Sequence, residues 1–298
     1  MSQPTPHPVV VALGEQPADA ALAFAVDEAR RRGCGVHLLH VVHALPQGPE
    51  MVLVQSVDVE AIGRRSLREA FDLCRGMAGE TIPVTGRLLL GTVVHELVDA
   101  VADLEAARMV VLQHRDLSRV RRLVSRSTTS GLAARLHVPL VSVPTGWVAP
   151  PDDAAPGLVT AGVDVPHRSD AVLRAAVDAA RARGARLELV HSWSLPGLHD
   201  DPSLARVHGE SIAVQEAEEI RDRLVELGLD LDGLEVEVRT PQSPAAERLV
   251  EASEASSLLV VGKHDPMVPL GSHVGPVAGA VLREAQCPVM LVDPHRPG

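Results

Sequence analysis

Tyrosine and asparagine are absent from this chain, lysine occurs once (Lys263), and tryptophan and phenylalanine occur twice each. The scarcity of lysine is not made up by arginine. Lysine and arginine together number 28 against 39 acidic residues, a formal net charge of −11. That balance excludes the basic surface that nonspecific binding to nucleic acid or anionic lipid requires. The abundance of arginine and alanine reads as high-GC codon bias and carries no mechanism. Three cysteines, Cys34, Cys74 and Cys287, are scattered and odd in number, which excludes a disulfide framework or a zinc site. They read as reduced thiols packed as small apolar groups. Long apolar runs are missing too. Val9 to Leu13 and Leu258 to Val261 are strand-length, far short of the roughly 20 residues of a membrane helix. Residues 1–8 are polar and proline-rich, without the basic-then-apolar order of a signal peptide. A soluble, cytoplasmic protein is expected. Among catalytic templates, Gly-x4-Gly-Lys-[Ser/Thr], Gly-x-Gly-x2-Gly after a strand and Gly-x-Ser-x-Gly are all missing.

What the chain does contain is an internal repeat. Asp19-Ala20-Ala21-Leu22 answers to Asp170-Ala171-Val172-Leu173, and Arg30 to Gly33 answers to Arg181 to Gly184, both 151 residues apart. Val111-Leu112-Gln113 answers to Val260-Val261-Gly262, and Val138-Pro139-Leu140 to Cys287-Pro288-Val289, 149 apart. The drift of two residues implies duplication with short loop indels. A length of 298 residues accommodates two such domains of about 150 residues each. Domains over residues 1–146 and 155–298 are expected, with the proline-rich stretch Pro144 to Gly157 as a semi-extended linker.

Each copy alternates strand and helix patterns. The first predicts strands at Val9 to Leu13, Val36 to Val42, Ile82 to Leu90, Met109 to Leu112 and Leu140 to Val143. Helices are predicted over Ala18 to Arg32, Val57 to Ala78, Val93 to Ala106 and Thr128 to Leu136, with Gly33 ending the first. The second copy repeats this order from Leu158 to Val292. Strands separated by helices need crossovers, hence an α/β fold: two tandem open five-stranded parallel sheets with helices on both faces.

In such a sheet, ligands bind beyond the carboxyl ends of the strands where strand order reverses. The second copy has Gly162-Val163-Asp164 after its first strand and Gly262-Lys263-His264-Asp265 after its fourth, then a loop to Gly275-Pro276 at the next helix. Glycines there let backbone N–H groups approach a phosphate, and the helix N-terminus favours an anion.

These residues resemble the universal stress protein family, whose signature is Gly-x2-Gly-x9-Gly-[Ser/Thr] after the fourth strand and an acidic residue after the first. The second copy reads Gly262-x2-Asp265-x9-Gly275-Pro276, without gaps. Ala161-Gly162-Val163-Asp164 and Cys287-Pro288-Val289 resemble the family's opening and closing strands. The resemblance covers nearly all of both copies. It implies a Rossmann-like domain that pairs through its last strand, so that Leu140 to Val143 and Val289 to Val292 would pair within one chain or in a homodimer. It also implies ATP or another adenine nucleotide as ligand. By carry-over, Asp164 would contact the adenosine, Ser192 would lie beside the adenine, and the Gly262-to-Gly275 loop would cradle the phosphates. Two departures weaken this site. Asp265 adds a side chain and a negative charge, and Pro276 removes a hydroxyl and an N–H, each lost contact being worth about 1–3 kcal/mol. The first copy carries Gln113, Asp116, Arg126 and Ser127 at the four positions and Gly14 in place of the aspartate, so nucleotide binding there is not expected.

The remaining features take structural readings. Arg115, Arg119, Arg121, Arg122 and Arg126 could replace glycine contacts with charge, but a solvated loop making salt bridges is favoured. His264, Asp265 and His273 lack ligand spacing. His40 and His191 are expected at the site rim in structural roles, and Trp193 over the cleft or in a seam between domains. The expected function is that of a non-enzymatic stress-response protein acting through protein partners. The alternatives are an ATP-binding sensor with slow hydrolysis and, less favoured, a nucleotidyl-transfer enzyme.

Overall fold

The computed structural model describes residues 7–43, 59–104, 106–114, 122–151, 155–193, 202–263 and 274–293; of residues 122–127 and 202–210 it describes the backbone. Contacts divide the chain into two compact units, Met1–Ala149 and Pro150–Gly298.

In the first unit the elements run β1 (Val9–Leu13), α1 (Asp19–Arg32), β2 (Val36–Val42), α2 (Val59–Ala78), β3 (Val84–Leu90), α3 (Val93–Ala102), β4 (Met109–His114), α4 (Arg122–Arg135) and β5 (Leu140–Pro144). The strands are all parallel, in the order β3-β2-β1-β4-β5. From β1 the chain moves outward through β2 and β3, then returns to the other side of β1 for β4. The switch point therefore lies between β1 and β4. β1 reads as a continuous apolar run, and β2 is buried throughout with His37 and His40 among its apolar residues, because both faces of a parallel sheet are covered. α1 packs on β1 and β4 and beside α2, which lies on β2 and β3. Gly63 makes the approach of α2 close: a Cβ there would collide with Val42 Cγ2.

α1 is buried nearly all round, including Glu28, whose carboxylate has no exposure and accepts from Arg32 Nε on the next turn. Gly33 ends α1 in the left-handed conformation, φ 61°, as its position after the last arginine predicts. Two predicted boundaries need correction. α3 stops at Ala102, and Ala106 lies outside it with φ 52°, which no right-handed helix can include. α4 begins at Arg122, six residues before Thr128, through a polar stretch with no apolar periodicity to mark it.

His37 in β2 is buried, and its Nδ1 lies 2.7 Å from Thr85 Oγ1 on β3. Burial, with Arg87 nearby, pushes the imidazole below its usual value. The unfolded chain then binds more protons near the unfolded pKa of about 6.5, so stability rises as pH rises through that value and falls as pH drops toward the folded pKa. A His37→Gln chain should lose this component, flattening the change in denaturation midpoint between pH 5 and pH 8. An unaltered pH profile would contradict it.

The second unit repeats the plan: β6 (Leu158–Gly162), a short 3-10 turn (Pro166–Arg168), α5 (Asp170–Arg183), β7 (Arg186–Val190), α6 (Pro202–Glu226), β8 (Val236–Arg239), α7 (Ala245–Ala252), β9 (Leu258–Gly262), α8 (Pro276–Glu284) and β10 (Val289–Val292). Its parallel order is β8-β7-β6-β9-β10, with the switch point between β6 and β9. Gly184 ends α5 at φ 58°, as Gly33 ends α1. Cys34, Cys74 and Cys287 are free and buried, and burial pushes the thiols of Cys74 and Cys287 up to about 12. They remain protonated, as small apolar residues. No helix among the described residues is long and apolar enough to cross a membrane.

Candidate functional site

The carboxyl ends of β6, β7 and β9 lie on one register line. Gly162 stands opposite Val190 on one side and Val261 on the other, and Val163 N–H donates to the Val190 carbonyl at 2.9 Å. Asp164, Ser192 and Gly262 follow within two residues of that line and so share one end of the sheet, around the switch point. Asp164 is exposed there. Ser192 is half-buried, and its Oγ has no hydrogen-bond partner among the described residues. Gly262 ends β9, where a Cβ would meet, among the described residues, Val172 Cγ2 at 3.4 Å, in the first turn of α5. Gly162 has less room, its Cβ direction blocked by Leu249 Cδ1 at 2.9 Å.

Gly275 is the N-cap of α8 and Pro276 its first residue. The helix start therefore lacks the N–H that another residue would offer. Asp265, with His264 and His273, lies outside the described residues, as do Arg115, Arg119 and Arg121. Arg122 and Arg126 fall on the described backbone of α4. Lys263 follows Gly262 and is buried. Its N–H donates to the Val292 carbonyl at 2.7 Å, and burial lowers the amine while Asp293 opposes that shift.

The two histidines have matching roles. His40 Nδ1 lies 3.3 Å from the Leu13 carbonyl and His191 Nδ1 lies 3.0 Å from the Val163 carbonyl. A carbonyl only accepts, so Nδ1 carries the proton in each, and each ring ties the second strand of its copy to the end of the first. His191 Nε2 also faces Glu216 at 3.4 Å. Trp193 is placed by a bond from Nε1 to the Thr240 carbonyl, 2.9 Å, which fastens it to the end of β8. At α5, Arg223 from α6 bonds Asp170 through Nε at 2.8 Å and holds its carboxyl below the usual carboxylate range.

A cleft of about 590 Å³ at the end of β8 is lined by Arg239, Ser243 and Arg248. Arg239 is bonded to Glu188 and Glu237 and Arg248 to Glu251, so this is a surface of ion pairs already made. Among the described residues no group of three His, Cys, Asp or Glu could hold a metal ion.

Sequence reasoning missed what Gln113 does. Its Oε1 accepts from the N–H groups of Ala20 and Ala21, at 3.0 and 3.2 Å, and its Nε2 donates to the Pro17 carbonyl at 3.1 Å. One local signal existed: α1 starts from Ala18, a residue that cannot cap it.

Two copies of a five-stranded parallel sheet, with polar residues gathered at the switch point of the second, place the chain among tandem Rossmann-like proteins. The sequence profile of the Universal stress protein family matches residues 6–144 and again 158–293, and the chain belongs to that family. A universal stress protein of Mycobacterium tuberculosis (strain H37Rv) is 30% identical over 300 residues, 98% of this chain and 99% of its own. One from Mycolicibacterium smegmatis is 28% identical over 283 residues, 93% of each. The crystal structure of a universal stress protein from Archaeoglobus fulgidus matches in fold, with a TM-score of 0.68 over 97% of both chains at 16% identity.

Proposed function

We propose that this chain is a non-enzymatic, cytoplasmic stress-response regulator in which only the second copy retains an adenine-nucleotide site, and that site is weakened. The observation that carries this reading is the contrast at one position of the repeat. Gln113 reaches from the end of β4 to the start of α1 in the first copy, whereas Gly262 at the end of β9 carries no side chain to do so in the second. In this reading Asp164 contacts the adenosine, Ser192 lies beside the adenine, and the backbone from Gly262 and at Gly275 approaches the phosphates. Pro276 at the start of α8 offers no N–H, and Asp265 adds charge of the wrong sign. These two losses lower affinity by a few kcal/mol, about a hundredfold or more.

Calorimetry with ATP, ADP and AMP tests this. Weak binding that Gly262→Trp abolishes, without turnover, is expected. Tight binding together with hydrolysis would replace it with the second reading, an ATP sensor, which the absence of a side chain at Gly262 favours. Partner contact belongs to the same proposal, as pairing of the two copies within one chain or as a homodimer. A molar mass in solution of 31.6 kDa or of twice that separates the two.

A further inference from the structure

The hydrogen bonds of Gln113 do more than cap a helix. Its carboxamide spans the β1–α1 turn from Pro17 to Ala21 and fastens that turn to β4, across the switch point. One carbonyl oxygen accepting from two successive N–H groups of a first helical turn is the arrangement an anionic oxygen adopts at such a place. A separate cavity of about 160 Å³ lies on the α2 side of the same turn, lined by Leu13, Pro17, Leu22, His40, Ser66 and Ala70 among others.

The second copy's β6–α5 connection is two residues longer, with a 3-10 turn at Pro166–Arg168, and among the described residues no side chain from the end of β9 caps it. Ala171 and Val172 are the counterparts of Ala20 and Ala21, and Gly262 is the counterpart of Gln113. The N-cap residue Ser169 does not cap α5, since its Oγ donates to the Val165 carbonyl at 2.9 Å. A side chain on residue 262 would begin in ordinary contact with Val172.

We infer that Gln113 is an internal ligand, a specificity-determining residue whose carboxamide takes the place of an anionic group at the β1–α1 turn and closes the first copy's cleft. What would otherwise enter rests on the nucleotide reading above; the closure itself is tested without it. The ¹⁵N-labelled full chain is titrated with inorganic phosphate and, separately, with AMP. In Gln113→Gly the amide signals of Ala20 and Ala21 should shift saturably with phosphate. They should stay still in the wild type and in Gln113→Glu, which keeps the accepting oxygen. A purely structural cap would change stability but create no phosphate response. The transplant Gly262→Gln should slow hydrogen exchange at Ala171 and Val172 by about tenfold, and it decides the matter if Gln113→Gly does not fold. A silent Gln113→Gly, a wild type that responds equally, or unchanged exchange in Gly262→Gln would overturn the inference. An AMP titration that leaves the second copy unmoved, with the phosphate results as expected, would remove the nucleotide reading and leave the closure standing.

Discussion

Replacing Arg32 with methionine is expected to destabilise the first domain by about 1.5–3 kcal/mol, the range for one hydrogen bond to a charged group, against the 5–15 kcal/mol that holds a typical domain folded. Glu28 has no exposure and the Arg32 side chain only 7%, so the change leaves a buried carboxylate without this cation. The double replacement Glu28→Leu with Arg32→Met removes the charge as well as its partner and should recover most of the loss. Trp147 reports on this region, since its ring meets the Phe24 ring of α1 edge-on at 5.5 Å. Denaturation followed by Trp147 fluorescence in a Trp193→Phe background measures the change. A loss below about 1 kcal/mol would mean that the pair contributes no more than a surface ion pair.

A second large effect is expected at Gly63. Its Cβ direction points into Val42 Cγ2, with Leu88 Cδ1 at 3.1 Å, so alanine there forces either these side chains or α2 to give way. The expected cost is about 1–3 kcal/mol. Gly76 on the same helix is the internal control, because a Cβ there meets nothing within 4 Å. Gly76→Ala should instead gain roughly 0.5–1 kcal/mol from helix propensity. Denaturation midpoints that move in opposite directions support the close approach; the same sign for both would contradict it.

These effects show which parts of the molecule the sequence made legible. Apolar runs such as Val9–Leu13 and the glycines Gly33 and Gly184 are local signals, and they marked strands and helix ends correctly. So did the repeat, since each copy keeps the same element order. The end of α3 was not legible, because alanine is a strong helix former and the positive φ of Ala106 leaves no mark in residue type. The start of α4 was hidden by its polar composition. At the site, Asp164, Ser192 and Gly262 could be placed because strand ends are predictable. The action of Gln113 could not, because its partners lie 92 to 96 residues away and only the fold brings them together.

The central claim is that one ancestral site has been closed in the first copy and kept, weakened, in the second. The number of nucleotide sites per chain, from calorimetry on the wild type, Gln113→Trp and Gly262→Trp, tests it most directly. No more than one site is predicted, lost in Gly262→Trp and unaffected in Gln113→Trp. Two equivalents per chain, or a site that vanishes on substitution of Gln113, would contradict it.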